Sequence, residues 1–507
     1  MLAKVMSCGI VGLDGFPVWV EVDNAPGLPF WGLVGLPDAA VKECRERVRS
    51  ALMNSGFSYP MNRVVVNLAP ADIRKEGSTY DLPIAVALLG VTGQLDISGC
   101  GDCAFLGELS LDGELRGIRG VLPMVIDAKE RGVKHLIIPF ENAEEASFVD
   151  GIDIIAAPSL KAVYDHISGK KKISSVTAGS FSTKAHEAGA ADFKFIKGQE
   201  LAKRAVEIAV AGGHNILFIG PPGAGKTMLA KAVPSILPKL SFEEALETTK
   251  IHSVAGELKE GIISERPFRS PHHSASTVAL TGGGAKAMPG EVSLSHNGVL
   301  FLDELPEFKR DALEALRQPM EDGKIAITRA NSKVQYPAEF MLVSSMNPCP
   351  CGFYGDPSGA CRCTESQIHK YLSRISGPLL NRIDLHIEVA RPAYDDLAEQ
   401  KHGESSEKIR ERVEAAREIQ RERYKGRGYF VNSRLDGAGF EKFCKLDEES
   451  AALLEDVFET MNMSARTYKR VISVARTIAD LDGADDICTE HIAEAIQYRS
   501  LDRKYWG

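Results

Sequence analysis

The chain has 507 residues, 44% apolar and 25% charged, and a net charge of −9. That length predicts about three domains, the composition is ordinary for a globular protein, and the acidic balance excludes a uniformly basic surface while leaving room for a local basic channel. No run reaches about 18 apolar residues, so no membrane span is expected, and the start MLAKVMSCGIVGLDGF lacks a signal-peptide pattern, so a cytoplasmic location is expected.

Residues 1–165 read as one α/β domain, with short buried strands at 64–68 and 135–139 and helical spacing near 38–54 and 121–132. Residues 166–192 are rich in Ser, Gly, Ala and Lys and read as a linker. A second domain spans 193–391. From Pro392 to residue 507 the pattern turns helical and charged, with a long exposed helix expected over 405–424.

The second domain carries Gly220-Pro221-Pro222-Gly223-Ala224-Gly225-Lys226-Thr227 between an apolar run at 215–219 and a helical stretch. This is the P-loop pattern in its strand–loop–helix context. Glycines let successive backbone N–H groups wrap a phosphate, Lys226 reaches the β- and γ-phosphates of ATP, and the Thr227 hydroxyl holds Mg²⁺. Downstream, residues 298–302 form an apolar strand ending in Asp303 and Glu304. At a strand's carboxyl end these acids face the ligand crevice. Asp303 is expected to hold Mg²⁺ and Glu304 to polarise the attacking water.

Cys349-x-Cys351 and Cys361-x-Cys363 are separated by nine residues in a region rich in Gly and Pro. Four thiolates at that spacing can surround a structural Zn²⁺, although C-x-C is a tighter bite than the usual C-x₂-C, and free thiols or a redox pair are the alternative. Cys100 and Cys103 have no second pair nearby and read as loop cysteines. The adjacent His272 and His273 lack an evident third ligand and read as groups for local hydrogen bonds. Residues 322–335 read as a β-hairpin.

The central domain resembles the AAA+ ATPases of the magnesium-chelatase class, and the whole chain resembles the bacterial ComM/YifB family. The residues carrying this are Ile196-Lys197-Gly198-Gln199 ahead of the P-loop, Arg266-Pro267-Phe268-Arg269-Ser270-Pro271-His272-His273, and the stretch from Gly282-Gly283-Gly284 through Pro289-Gly290-Glu291. Val343-Ser344-Ser345-Met346-Asn347-Pro348, Leu379-Leu380-Asn381-Arg382-Ile383-Asp384 and Ser464-Ala465-Arg466 complete the match. The resemblance implies that Asn347 is the sensor 1 residue, orienting the water, and that Arg466 is sensor 2 in a helical lid. A turn-capping Asn before Pro348 is the plain reading of Asn347. The resemblance also implies that Arg382 is an arginine finger reaching a neighbouring subunit's γ-phosphate in a hexameric ring, with Arg374 the runner-up. It makes the 322–335 hairpin pore-facing, where Lys324, Arg329 and Lys333, and more weakly Lys286, would meet a DNA backbone; a solvated hairpin face is the alternative.

The expected fold class is therefore α/β: an AAA+ P-loop core with a helical lid, preceded by an α/β Lon-protease-like domain. That N-terminal resemblance rests on Lys75-Glu76-Gly77-Ser78-Thr79 and on Gly107-Glu108-Leu109-Ser110-Leu111 with Gly113. Thr79 falls at the nucleophile's position and Leu122 at the lysine's, which leaves no base to activate a nucleophile. The function implied is an ATP-driven motor on single-stranded or branched DNA, a branch-migration helicase of natural transformation. The alternative is a chelatase-type ATPase that remodels a protein partner.

Overall fold

The computed structural model describes residues 1–183, 191–259, 261–329, 332–356, 359–392, 403–461 and 463–506, except the side chains of Arg329 and Ser332. The chain divides into two compact units. The first comprises Met1–Ser182 with Phe242–Ser264 and Ala330–Gln335; the second comprises Thr183–Ser241, Glu265–Arg329 and Tyr336–Gly507. Residues 242–264 fall within the 193–391 span read from the sequence, yet they cluster with the first unit.

The first unit is built on a seven-stranded mixed sheet. Its spatial order is Phe30–Val34, Arg63–Ala69, Asp14–Ala25, Leu2–Val11, Cys103–Phe105, His135–Pro139, Asp153–Ala157. The first two strands form an antiparallel hairpin closed at Val11↔Asp14. Gly12 takes φ +64 there, the left-handed conformation that a tight hairpin turn needs at its first central residue. Phe16, Val18, Val20 and Val22 alternate into the core on the second strand. Helix Asp81–Val91 is apolar nearly all round, and ten of its residues are buried, as expected for a helix with no solvent face. Helix Val121–Glu130 belongs to a separate core with Met6, Leu136 and Ile138. Helix Phe242–Ala255 adds Leu246 to that core, and Ser253 O accepts from Gly120 N–H at 3.1 Å.

Two readings of this region change. Cys100 and Cys103 are not loop residues: Cys100 closes the short 3₁₀ turn Ser98–Cys100 and Cys103 opens a strand. Helix Leu160–Ile167 runs into the span read as linker, and Val176 and Gly179 donate backbone bonds to Ile154 O and Ser147 O at 2.8 and 3.0 Å. The start of that span is therefore part of the first unit; residues 184–190 lie outside the described residues.

The second unit holds a five-stranded parallel sheet in the order Phe268–Arg269, Val299–Leu302, Met341–Met346, Ile216–Ile219, Leu385–Glu388. Its strands Val299–Leu302 and Ile216–Ile219 are continuous apolar runs, as expected where helices cover both faces. The chain enters at Ile216–Ile219, leaves for the far edge, works back, and crosses to the other side with Leu385–Glu388. Ligands bind at such a reversal, beyond the carboxyl ends of the strands. After residue 403 the described chain is helical: Ser406–Arg423, Gly437–Phe443, Glu448–Thr460, Ala465–Leu481, Thr489–Gln497 and Leu501–Trp506. Helix Ser406–Arg423 bears out the long helix expected over 405–424 but not its exposure all round. Ser406, Ile409, Val413, Ala416 and Gln420 form a buried stripe, because a spacing of three to four residues puts a few side chains on one face of an otherwise charged helix. Among the described helices none is long and apolar enough to cross a membrane.

Candidate nucleotide site and cysteine cluster

The P-loop leaves strand Ile216–Ile219, and helix Lys226–Ala232 follows it. Gly223 and Gly225 take φ of +77 and +95, which a side chain would resist. Gly220 serves differently: a β-carbon there would lie 2.1 Å from Val389 O. No side chain caps the helix at Gly225, so the loop and helix N–H groups can meet an anion. Lys226 turns back into the loop, donating to Gly220 O at 2.6 Å, Pro221 O at 2.9 Å and Asn347 Oδ1 at 3.1 Å. Burial lowers its ammonium to about 8, against the opposing pull of Asp303 and Glu304.

The acidic strand delivers its pair beside this loop. Thr227 Oγ1 donates to Asp303 Oδ2 at 3.1 Å, and Asp303 Oδ1 accepts from the Ser345 hydroxyl and from Glu304 N–H. A hydroxyl and a carboxylate converging next to a phosphate cradle are the hard oxygen donors that Mg²⁺ takes. Glu304 has φ +53, uncommon for a residue with a side chain. Such strain of about 1–3 kcal/mol persists where surrounding structure holds it, often at functional sites. The Glu304 carboxylate lies 3.3 Å from His273 Nδ1. This contact overturns the reading of His273 as a purely local partner; only His272, bonded to Ser274 Oγ at 2.8 Å, fits that reading. The His273 contact links two segments far apart in sequence, which residue spacing does not reveal. In the same signature, Arg266 holds Pro238 O and Asn297 O, and Arg269 grips Glu291 bidentately at 2.7 and 2.8 Å.

Asn347 directly follows strand Met341–Met346, next to the acidic strand. Gln199, at φ +62, donates to Ala224 O and Ala390 O at 3.4 and 2.6 Å, which puts the Ile196–Gln199 segment against the P-loop. Two of the expected arginines are gathered on one carboxylate away from the P-loop. Arg382 is 5% exposed, donates to Pro378 O, and pairs with Glu321 at 2.6 Å. Arg466 meets the other oxygen of the same carboxylate, also at 2.6 Å. Arg374 is half-exposed and pairs with Glu307 at 2.8 Å. The hairpin pairs Lys324–Arg329 with Ser332–Pro337. Ile325, Ile327, Val334 and Tyr336 are buried, whereas Lys324 and Lys333 are exposed, as is Lys286. The Arg329 side chain lies outside what is described.

The four cysteines converge: Cys349, Cys351, Cys361 and Cys363 have sulfurs all within 4.8 Å of one another. Cys349 Sγ lies 3.3 Å from Cys351 Sγ and 3.8 Å from Cys361 Sγ, and Cys351 to Cys361 is 3.7 Å. A disulfide needs about 2.05 Å, whereas sulfurs on a tetrahedral Zn²⁺, with Zn–S about 2.3 Å, stand about 3.8 Å apart. The group could hold a metal ion.

Three family models match in succession: subunit ChlI of Mg-chelatase over residues 20–142, magnesium chelatase subunit ChlI over 192–397, and its C-terminal part over 403–499. The competence protein ComM of Haemophilus influenzae is 46% identical over 510 residues, covering 99% of this chain and 98% of that protein. The YifB protein of Salmonella typhimurium is 45% identical over 504 residues, with the same coverage. The chain belongs to the ComM/YifB family of magnesium-chelatase-like proteins. ComM/YifB membership and the P-loop geometry both point to an AAA+-like ATPase. Lon protease 2 of Bacillus subtilis is 31% identical over 123 residues, 24% of this chain and 22% of that protein. Within this ComM/YifB chain, Leu122 is buried and its N–H donates to Glu145 at 3.0 Å; its alkyl side chain can supply no base.

Proposed function

We propose that this chain is an ATP-hydrolysing AAA+ motor acting on DNA, a branch-migration helicase for recombination in natural transformation. The observation that carries the ATPase is the convergence of Lys226, Thr227, Asp303 and Glu304 at the mouth of a parallel sheet. Lys226 and the loop N–H groups bind the phosphates of ATP, and Thr227 and Asp303 hold Mg²⁺, which neutralises charge on the transferring phosphoryl. Glu304 polarises the water, Asn347 orients it, and Arg466 senses the γ-phosphate from a helical lid over 392–507. Arg382 acts on a neighbour's nucleotide within a hexameric ring, for which it must exchange Glu321 for phosphate. Residues 193–391 apart from 242–264 are the AAA+ core, 1–165 with the start of the 166–192 span the Lon-protease-like domain, and the rest of that span the linker. Cys349, Cys351, Cys361 and Cys363 hold one structural Zn²⁺.

The DNA assignment is supported by the name of the Haemophilus relative, a competence protein, and by the exposed Lys324 and Lys333 of the hairpin. The chelatase name of the family models supports the second reading, an ATPase that remodels a protein partner. Turnover of the full chain with and without forked DNA separates the two. We expect stimulation that weakens with added salt, because phosphate contacts release counterions. A rate indifferent to single-stranded, duplex and forked DNA sinks the DNA reading and leaves the ATPase standing.

A further inference from the structure

The cysteine cluster and the nucleotide site are parts of one short stretch of chain. Met346 pairs with Ile219, and its carbonyl accepts from Gly220 N–H at 3.2 Å, so strand Met341–Met346 ends against the start of the P-loop. Asn347 follows, with its amide oxygen on Lys226 at 3.1 Å. Cys349, fully buried, comes two residues later. The chain then turns back, with Gly352 N–H donating to Cys349 O at 3.0 Å and Gly352 at φ +85. A β-carbon on Gly352 would lie 2.5 Å from Cδ of Pro222 and 3.8 Å from Cγ of Asn347. The cysteine turn is thus pressed against Pro222 of the P-loop, and it begins two residues after Asn347, which faces the phosphate lysine.

We propose that the four-cysteine knuckle is a wall of the nucleotide pocket, and that its bound metal fixes Asn347 and Pro222 so that ATP turnover depends on metal occupancy. The proposal rests on the zinc reading above. Gly352, Gly355 and Gly359 all take positive φ. A turn built on glycines has high conformational freedom to lose on ordering. Apart from backbone turn bonds, the described contacts ordering it include the convergence of four sulfurs. A tetrathiolate metal cross-links both ends of the turn, and binding to a folded site adds directly to its stability. Without it the strand end keeps its sheet bonds, but the chain just after Asn347 loses its fixed course and Pro222 loses the surface it packs on. Displacement of a positioning group by about 1 Å can lower turnover on the order of 10²-fold.

The test uses the full-length chain and two variants, with metal content read by mass spectrometry, nucleotide affinity by a fluorescent ATP analogue, and turnover at saturating ATP and Mg²⁺. Wild type should hold about one Zn²⁺ per chain. Cys361→Ser should lose the metal and its turnover should fall on the order of 10²-fold. Gly352→Ala, which leaves all four thiols in place, should keep the metal and still lose roughly tenfold or more in affinity or turnover. Metal-free wild type that also takes up no added Zn²⁺ overturns the zinc reading and the proposal with it. Cys361→Ser that loses zinc but turns over within about twofold of wild type overturns the coupling alone, and so does Gly352→Ala with affinity and turnover unchanged. If Cys361→Ser fails to fold, folded wild type stripped of zinc by a chelator and then reloaded decides, and turnover unchanged on stripping overturns the coupling.

Discussion

Lys226 and Glu304 fail differently when removed. Lys226 is the buried cation of the loop, with its ammonium on two loop carbonyls and on Asn347. Lys226→Ala should abolish nucleotide binding, because no other charge enters the cradle from the P-loop. Glu304 touches none of the phosphate-cradling groups; its carboxylate meets His273. Glu304→Gln should therefore bind ATP as wild type does while turnover falls about 10²–10⁴-fold, the usual worth of a positioned base. Fluorescent-nucleotide binding and phosphate release measured on the same preparations check this. Near-normal turnover in Glu304→Gln would remove it from the mechanism.

At the scale of elements, the first unit joins two helices through one ion pair. Arg47 on helix Cys44–Asn54 grips Asp81, the first residue of the buried helix Asp81–Val91, at 2.7 and 3.0 Å. Asp81 is 1% exposed, and burial raises its carboxyl to about 6 against the lowering effect of Arg47. Removing one partner of such a pair leaves an uncompensated buried charge, so Arg47→Ala should cost about 3–5 kcal/mol. Double replacement with Asp81→Asn should cost less than the single change. Urea unfolding followed by circular dichroism reads both; additive losses would mean that the two side chains do not act as a pair.

At the scale of the whole molecule, the arginines and the acids of the site stand apart. Arg382 and Arg466 share Glu321, while Glu304 sits at the P-loop. If Arg382 is the finger proposed above, its pairing with Glu321 of its own chain means that it needs assembly to reach a nucleotide. Arg382→Ala should keep ATP affinity and lose most turnover. Mixed with Glu304→Gln in one ring it should regain activity, because some interfaces then combine an intact Glu304 with a neighbour's intact Arg382. Mixed rings that regain nothing would transfer the role to Arg374, which is half-exposed on Glu307.

What the sequence determined by itself was what depends on neighbours along the chain. The glycines and lysine of 220–227, the acids that end an apolar strand, and the paired cysteines are local patterns whose chemistry is carried by residue type and spacing. Strand 135–139 and the helices near 38–54 and 121–132 were legible for the same reason, since side-chain period reports the face an element buries. Only the tertiary structure decided which distant residues meet. His273 reaches Glu304 because Phe268–Arg269 pairs beside the acidic strand. Arg382 and Arg466 converge on Glu321 although they lie 84 residues apart in the numbering. Residues 242–264 join the core of the first unit from inside the second unit's span. Spacing cannot report such contacts, because they depend on sheet order and helix packing, which the non-local burial of apolar surface selects.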